Sequence, residues 1–511
     1  MKLKRLYLGD YRVLRDLEIS FCPPTERRLT FTRNYSLDFL VGVNGTGKST
    51  VLKILWNLMQ QLEGNPYIEY PFELEYELGT DNQKRTIKIS NRQEDPETEE
   101  MIFTPVPSAW ENNQPIAISR DILPELVVAF TTGSEGEWDL GGDQKSFDSG
   151  NLAELQDLSQ LERAIRELPG KRTNLEITEG RNTSEGSRCL FIKNHQLPLL
   201  TLCSLLVDLA ENSDQSGLKD VFQEVYIKPI SGFSLKFRKT HDPAYLGDWD
   251  DVKSLARIAS LCLHQGNDYL LVFDLTSTGH SIAKEIFNSF SSGLELFKKL
   301  SLLANVDENG QSVLREVNIF LERTNSLHPE THLDVPPLHL FEWLSDGERS
   351  FLGRMSLFTL LGTTEALIIL DEPEVHFNDF WKRQIVQLLD AKLKDRHSHV
   401  LITTHSSITL TDVPKEDIVV LDRNGNYTQS SFNPTLRTFG ADPSDIMVHV
   451  FGAPHPAGAS SVHRIEKELE NSLNRSPHER REVLEELLNN VVAQGYWSYL
   501  IRRELQTMEK E

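Results

Sequence analysis

The expected fold of this chain is decided by one stretch, Leu37-Asp38-Phe39-Leu40-Val41-Gly42-Val43-Asn44-Gly45-Thr46-Gly47-Lys48-Ser49. Its first five residues read as a buried strand, and the apolar residues between Val51 and Leu62 have helical spacing. The three glycines let the connecting backbone fold tightly, so that its N–H groups and the helix N-terminus point at a polyphosphate. A strand, a glycine loop and a helix in this order predict a phosphate-binding loop in an α/β domain.

The side chains of this loop have separate expected roles. Lys48 would neutralise the β and γ phosphates of a nucleotide, and the Ser49 hydroxyl would ligate Mg²⁺. The expected nucleotide contacts come from Asn44, Gly45, Thr46, Gly47, Lys48, Ser49 and Thr50. The alternative is a plain glycine turn before a helix, which the filled positions and correct flanks disfavour.

An acidic pair, Asp371-Glu372, follows the apolar run Leu367-Ile368-Ile369-Leu370. This places the pair at the carboxyl end of a predicted parallel strand, where ligands bind in open α/β sheets. We expect Asp371 to hold Mg²⁺ and Glu372 to orient or deprotonate the attacking water. Taken alone, the pair fits a solvated turn equally well, and the phosphate loop favours the catalytic interpretation.

Two further motifs complete the set. Leu344-Ser345-Asp346-Gly347-Glu348 opens an apolar-periodic helix, and Ser345 with Glu348 forms the pattern of a capping box. The same serine and the free N–H groups at the helix start also suit a γ-phosphate, so both roles stay open. Thr404-His405 lies just after the strand Val400-Leu401-Ile402, which is expected to neighbour the strand of the acidic pair. We expect His405 to sense the γ-phosphate rather than serve as a surface histidine.

Composition limits the possible partners. The net charge of −23 over 511 residues opposes indiscriminate adhesion to nucleic acid, although a local basic groove remains open. No stretch approaches the roughly 20 apolar residues of a membrane span, and the first residues lack the apolar core of a signal peptide. We therefore expect a cytoplasmic protein that does not enter a membrane.

The predicted organisation is an α/β core interrupted by an insertion. The core combines a β-rich lobe with a parallel sheet flanked by helices, and a helical tail ends the chain. The insertion is expected to be mostly helical with polar loops, with helices at Leu152–Leu168, Leu199–Leu209 and Ile282–Leu303 and a hairpin joined through Ser231-Gly232. The expected segments are 1–85 and 336–430 for the core, 86–335 for the insertion and 431–511 for the tail.

The ordered set of phosphate loop, Ser345-Asp346-Gly347-Glu348, Asp371-Glu372-Pro373-Glu374 and His405 resembles the ABC-type ATPases, within them the RecF/SMC-like and OLD-like branch. The resemblance implies ATP and Mg²⁺ as cofactors and a head-to-tail dimer with two ATPs at its interface. It assigns the catalytic base to Glu372, the switch to His405, and contact with the partner's nucleotide to Ser345, Gly347 and Glu348. It also places Tyr11-Arg12 near the nucleotide. It gives no position for the glutamine of the family's Q-loop.

Within that branch, the chain is similar to the ATPase subunits of Septu-type or retron-associated anti-phage systems. That similarity rests on a short insertion without a long coiled coil, and on the absence of a recognisable nuclease motif in the sequence. The segment Thr438–Asp445 and the terminal Tyr496-Trp497-Ser498-Tyr499-Leu500 add to it. It implies a slow regulatory ATPase, a homodimer or higher even oligomer, and a separate HNH-type nuclease subunit. Phage DNA or a retron RNA–DNA is a further partner that it leaves open.

Two other functions compete with this one. A RecF/SMC-like DNA-repair ATPase would close on duplex DNA and needs a basic surface, for which the best local candidate is Lys236-Phe237-Arg238-Lys239. The nucleotide-binding subunit of a transporter is disfavoured, because such subunits have a much shorter separation between the phosphate loop and the signature than the one between Ser49 and Ser345.

Overall fold

The computed structural model describes most of the chain. The described residues are 1–21, 33–64, 66–79, 84–94, 101–138, 187–211, 221, 225, 227–239, 246–305, 312–323, 338–361, 365–393, 397–455 and 457–508. They form two compact units, Met1–Gly440 and Ala441–Glu511. No helix in these ranges is both long enough and apolar enough to cross a bilayer.

The first unit alternates strands and helices, and the second is helical. The strands are β1 Lys2–Leu8, β2 Leu17–Ser20, β3 Ser36–Val41, β4 Phe72–Leu78, β5 Arg85–Glu94, β6 Met101–Glu111, β7 Gln114–Ile116, β8 Leu126–Thr131, β9 Cys189–Ile192, β10 Ile227–Arg238, β11 Leu261–Gln265, β12 Asp268–Asp274, β13 Leu314–Arg323, β14 Leu338–Leu340, β15 Ala366–Asp371, β16 His399–Thr403, β17 Ile418–Asn424 and β18 Tyr427–Phe432. The α-helices are α1 Lys48–Glu63, α2 Leu197–Glu211, α3 Leu246–Ile258, α4 Gly279–Ser289, α5 Gly293–Ala304, α6 Asp346–Leu360, α7 Asp379–Leu393, α8 Pro443–His449, α9 Ala459–Leu473, α10 Pro477–Glu486 and α11 Tyr496–Met508.

A seven-stranded sheet with the order β18-β17-β3-β16-β15-β8-β9 forms the centre of the first unit. All its neighbouring pairs are parallel except β17 with β18, which pair antiparallel. Every residue of β3, β8, β15 and β16 is buried, as expected for strands of a parallel sheet covered on both faces. Parallel pairing brings the carboxyl ends of these strands to one edge, and the predicted neighbours β15 and β16 pair residue by residue from Leu367 with His399 to Asp371 with Thr403.

A second, antiparallel sheet with the order β2-β1-β4-β5-β6-β7 gives the expected β-rich lobe. Its inward side chains share one apolar core with helix α1 and the central strands; Leu6, Leu74 and Ile89 of the lobe lie in the same cluster as Leu55 and Ile369. The α/β fold class predicted from the sequence is confirmed, with a β-rich lobe, a mixed central sheet flanked by helices, and a helical C-terminal region.

The expectation of a mostly helical insertion at residues 86–335 is wrong for the described part. This segment supplies β8 and β9 to the central sheet and four strands to a third, antiparallel sheet with the order β11-β12-β10-β13-β14. In β10 of the third sheet, the buried apolar residues Phe233, Leu235 and Phe237 alternate along the strand, although Ser234 between them is also buried. Alternation of apolar side chains is the period-two pattern of a strand, and these strands extend beyond the short hydrophobic pieces visible in the sequence.

The hairpin expected at Ser231-Gly232 is also wrong, because Ile227–Arg238 is one strand that pairs with β12 on one side and β13 on the other. Gly232 does not turn the chain; a Cβ there would lie 2.6 Å from the Phe273 carbonyl oxygen, so the glycine permits close approach between strands. The expected helix at Leu199–Leu209 is present as α2. The one expected at Ile282–Leu303 is split into α4 and α5, because Ser292 caps a new helix by accepting a hydrogen bond from Glu295 N.

The helix expected at Leu152–Leu168 lies outside the described residues. The boundary expected at residue 431 falls instead at Ala441. The reason is that β18 completes the central sheet, and the Thr438 hydroxyl donates to the Val413 carbonyl oxygen at 2.5 Å.

The second unit has a small core of its own. The buried side chains of Leu484, Leu487 and Ile501 form one cluster, with Leu469 and Leu505 packed against them. Helix α10 begins at the predicted Ser476-Pro477, where Ser476 and Glu479 form a capping box and the proline takes the first turn.

Candidate functional site: an Asp371-centred phosphate-loop site

The site lies where β3, β8, β15 and β16 end together. The phosphate loop leaves β3 and enters α1 at Gly47, whose φ of 84° is in the left-handed region. A Cβ on Gly47 would also lie 2.8 Å from side-chain atoms of both Val13 and Leu14. Glycine is therefore required here by backbone conformation and by packing, and the helix N-terminus faces the loop interior with free N–H groups.

Lys48 is held inside the loop. Its side chain is buried, and its ammonium donates to the carbonyl oxygens of Gly42 at 3.0 Å and Val43 at 3.4 Å. Burial lowers the Lys48 pKa, while the nearby carboxylates of Glu372 and Asp371 act in the opposite direction. Loss of water around this cation strengthens its attraction to a polyphosphate, which carries far more negative charge than the carbonyl oxygens.

Asp371 receives hydroxyls from three separate segments. Its Oδ1 accepts from Ser49 at 2.8 Å and from Thr403 at 2.7 Å, and its Oδ2 accepts from Thr131 at 3.0 Å. The residue is only 6% exposed. Three donors around a buried carboxylate fix its orientation and offset the cost of its desolvation.

The residues present fit a Mg²⁺ ion bound together with a nucleotide. Ser49 and Asp371 offer a hydroxyl and a carboxylate in direct contact, and Mg²⁺ prefers such oxygen ligands with the remainder supplied by phosphate and water. Within the described ranges, no group of three or more His, Cys, Asp or Glu residues is arranged to hold a metal by itself. This donor set is therefore suited to a cation that arrives with phosphates.

Thr131 and Thr403 were not assigned from the sequence. Thr403 directly precedes the quoted Thr404-His405, and Thr131 ends β8, a strand that the sequence interpretation had not placed in the central sheet. The available signal was the same in both cases, a hydroxyl residue directly after a short apolar run. Residues 131 and 132 are both threonine at the end of β8, so this position next to Asp371 does not supply a Q-loop glutamine.

Glu372 and His405 meet, as the sequence predicted for neighbouring strands. His405 Nε2 lies 3.1 Å from Glu372 Oε1, and both side chains are about one-third exposed. The hydrogen bond from His405 is the main cause that lowers the Glu372 pKa, with Lys48 adding to it. A carboxylate held in its charged form beside the phosphate loop has the protonation state that a general base needs.

The backbone at Glu372 has an unusual conformation. Its φ is 52°, a left-handed value that a non-glycine residue adopts at a cost of order 1–3 kcal/mol. The turn is held by the Glu372 N–H, which donates to Thr403 Oγ1 at 3.0 Å and to the Thr403 carbonyl oxygen at 3.2 Å. The end of β16 therefore fixes both Asp371 and the direction in which Glu372 leaves β15.

The loop after Glu372 is anchored from helix α6. Arg354 is buried, with its guanidinium carbon 5.1 Å from the ring centroids of both Phe130 and Phe377. Its Nη1 donates to the carbonyl oxygens of Pro373 and, at 2.7 Å, Val375. Burial lowers the Arg354 pKa to about 10, so the group remains a cation at neutral pH.

The signature residues lie at the start of α6. Ser345 caps the helix, accepting from Glu348 N at 3.3 Å and donating its hydroxyl to Glu348 Oε2 at 2.9 Å. Gly347 packs against the loop after β15, because a Cβ there would lie 2.9 Å from the His376 carbonyl oxygen. The capping role expected for Ser345 and Glu348 is confirmed, and Gly347 has a packing reason that is independent of any ligand.

The N-terminal turn borders the phosphate loop. Arg12 is exposed at φ 52°, and its guanidinium lies 5.6 Å from the Tyr11 ring centroid, while Val13 of the same turn packs at Gly47. Thr46 is fixed inside the loop by its bond to the Val43 carbonyl oxygen at 2.9 Å. Asn44 and Gly45 are exposed at the loop tip, and Ser49 and Thr50 lie in the first turn of α1.

One cation near the loop was missed by sequence reasoning. Arg423 Nη1 lies 3.2 Å from the point where a Cβ on Gly45 would stand, and its Nε donates to the Gly425 carbonyl oxygen at 2.9 Å. No motif marks this arginine, since it comes from the far end of β17.

The basic candidate Lys236–Lys239 does not form a free cationic strip. Lys236 pairs with Glu316 at 2.8 Å and lies 4.0 Å from Asp268, and Phe237 is buried. Neutralisation of Lys236 by two carboxylates weakens the argument that this strand binds a phosphate backbone.

One known protein-family model matches part of the first unit. Residues 238–412 match the family model described as "AAA domain, putative AbiEii toxin, Type IV TA system". The matched range is about a third of the 511 residues. The matched range contains Ser345, Asp371, Glu372 and His405, whereas the phosphate loop precedes it.

Three solved structures show a weak likeness. The SMC head domain from Thermotoga maritima is 13% identical, with 85% of this chain and all of that chain covered and a TM-score of 0.34. An SMC head bound to the C-terminal winged-helix domain of ScpA is 10% identical, covering 85% and 98% of the two chains, with a TM-score of 0.34. An SMC head with an extended coiled coil, bound to the C-terminal domain of ScpA derived from Pyrococcus furiosus, is 11% identical, covering 84% and 96%, with a TM-score of 0.33. No curated protein sequence matches the chain.

Replacing Lys48 with alanine is expected to remove measurable binding of an ATP analogue, because the loop then lacks its buried cation. The measurement is calorimetric titration with a non-hydrolysable ATP analogue and Mg²⁺. Arg423→Ala is the matched control for general loss of positive charge beside the loop, and it should weaken binding less. Retained affinity in a folded Lys48→Ala protein would contradict the phosphate-loop assignment.

Proposed function

We propose that this chain binds and hydrolyses ATP as the regulatory subunit of a bacterial anti-phage defence complex, in which dimer closure on ATP controls a separate nuclease. The observation that supports this proposal most directly is at Asp371, whose carboxylate accepts hydrogen bonds from Ser49 of the phosphate loop and from the ends of β8 and β16. The AAA-type match supports the ATPase part. Its description names a toxin of a toxin–antitoxin system, which is compatible with a two-component arrangement.

The chain's own residues divide the work of hydrolysis. The loop N–H groups and Lys48 bind the phosphates, and Ser49 with Asp371 would hold Mg²⁺. When bound, that ion supplies charge neutralisation at the phosphate oxygens. Glu372 orients the attacking water and accepts its proton, and His405 keeps the Glu372 carboxylate charged and directed at the site.

The dimer follows from the place of the signature. Ser345 and Gly347 lie at the N-terminus of helix α6, where the helix dipole favours an anion. In the arrangement that the sequence resemblance implies, this helix start meets the γ-phosphate held by another subunit. ATP would then join two chains, and hydrolysis would release them.

Glu372→Gln is expected to keep ATP affinity while lowering the hydrolysis rate by about 100-fold or more, because the amide cannot accept the proton from water. The protein should then accumulate as an ATP-bound dimer, which light scattering during size exclusion would detect. The double variant Lys48→Ala/Glu372→Gln is the control and should stay at the mass seen without ATP. Unchanged hydrolysis in Glu372→Gln would reject this residue as the base.

Mixing two inactive variants tests whether each site is built from two chains. In a head-to-tail dimer of Lys48→Ala with Ser345→Arg chains, one site carries both defects and the other carries none. Random mixing makes half of the dimers mixed, and each mixed dimer has one intact site out of two. Up to about one-quarter of wild-type activity should therefore return. If every site belonged to one chain, the mixture would stay inactive.

The regulatory part is tested by expression together with the neighbouring genes. We expect the tagged ATPase to co-purify with a metal-dependent nuclease, and the complex to cut DNA more slowly with ATP than after nucleotide removal. Absence of any stoichiometric partner would remove the support for nuclease control while leaving the ATPase assignment intact.

A further inference from the structure

The loop after β15 contains a second carboxyl group that the hydrolysis scheme does not use. Glu374 is only 4% exposed. Its Oε1 accepts from the Thr404 hydroxyl and from His405 N, the latter at 3.3 Å. Thr404 is fully buried, and its oxygen also accepts from Ser406 N at 2.9 Å.

These bonds join the same two segments that Glu372 and His405 join. One segment follows β15 and contains Glu372 and Glu374, and the other follows β16 and contains Thr404 and His405. The outer contact, between Glu372 and His405, is partly exposed to water, and such a contact by itself contributes little to holding the two segments together. The inner contact at Glu374 is buried, where hydrogen bonds are stronger and unmade ones are costly.

The loop around Glu374 is also held from its other side. Arg354 donates to the carbonyl oxygens of Pro373 and Val375, the residues on either side of Glu374. The loop closes on itself through Val375 N to the Glu372 carbonyl oxygen at 3.2 Å and Phe377 N to the Glu374 carbonyl oxygen at 3.0 Å. Glu374 is thus presented to Thr404 and His405 by a rigid support.

We propose that Glu374 is a positioning residue for ATP hydrolysis, which holds the His405 backbone so that the imidazole stays in contact with Glu372. The Glu374 side chain bonds to Thr404 and to His405 N, and not to the phosphate-loop residues, so it acts on turnover through His405. Burial raises the Glu374 pKa, which means that the fold keeps an acidic group where the loss of water disfavours its charge. Burying a carboxyl group there costs free energy, and the hydrogen bonds from the Thr404 hydroxyl and His405 N offset that cost. This inference rests on the proposed ATPase function.

Three substitutions at Glu374 separate its role from general stability. Glu374→Met removes the acceptor at similar size, Glu374→Gln keeps a carbonyl oxygen for Thr404 and His405 N, and Glu374→Ala also opens a cavity. We expect kcat to fall about tenfold or more in Glu374→Met with KM for ATP within about twofold of wild type. Glu374→Gln should recover most of kcat, and melting temperatures would identify any variant that fails to fold.

A double-variant comparison ties the effect to His405. If Glu374 acts through His405, then Glu374→Met should lower kcat little further in a His405→Ala background, whereas independent effects would multiply. Multiplying effects, a wild-type kcat in Glu374→Met, or a change confined to KM would each overturn the positioning role. The wild-type protein must first be shown to hydrolyse ATP, and Glu372→Gln must abolish that hydrolysis. If the wild-type protein does not hydrolyse ATP, the proposed function is rejected, whereas the geometry at Glu374 is not.

Discussion

The geometry of the site depends on one buried carboxylate and the hydroxyls that converge on it. Asp371 is the last residue of β15, and its three donors come from α1, β8 and β16. Each of these segments arrives at that point because parallel strands end at one edge of the sheet. An exposed carboxylate would be free to rotate. This one is buried and bonded at both oxygens, so the phosphate loop, the end of β8 and the end of β16 share one fixed reference point.

The loop that follows β15 turns this fixed point into a functional arrangement. Glu372 leaves the strand at a positive φ, which directs its side chain toward His405 instead of along the strand. Such a conformation persists only where surrounding contacts over-determine it. Here Thr403 holds the Glu372 N–H from one side, and Arg354 holds the next carbonyl oxygen from the other. Because Arg354 belongs to α6, the helix that Ser345 caps is attached directly to the segment that contains Glu372.

Much of this could be predicted from the sequence because the signals are local. The phosphate loop, the acidic pair and the capping box are each determined within a few residues, and the structure brings Ser49, Asp371, Glu372 and His405 together. Thr131, Arg354 and Glu374 escaped the same reasoning. Their roles depend on contacts between neighbouring strands and between α6 and the loop after β15. Such contacts leave no pattern of residue spacing in the sequence. Most strands of residues 86–335 were missed for a related reason, because the role of β8 depends on its pairing with β15.

The capping box at Ser345 has a consequence for how a dimer would close. The Ser345 hydroxyl already donates to Glu348, so its proton must turn away from that carboxylate to reach a phosphate. The Glu348 carboxylate also accepts the Ser345 N–H at 2.8 Å, so it occupies a donor at the helix start that an incoming γ-phosphate would otherwise meet. Closure therefore exchanges an internal capping interaction for one between subunits, instead of adding a contact to a free site. An exchange of this kind gains less free energy than a new contact, which suits the proposed dimer, because that dimer would have to form and come apart.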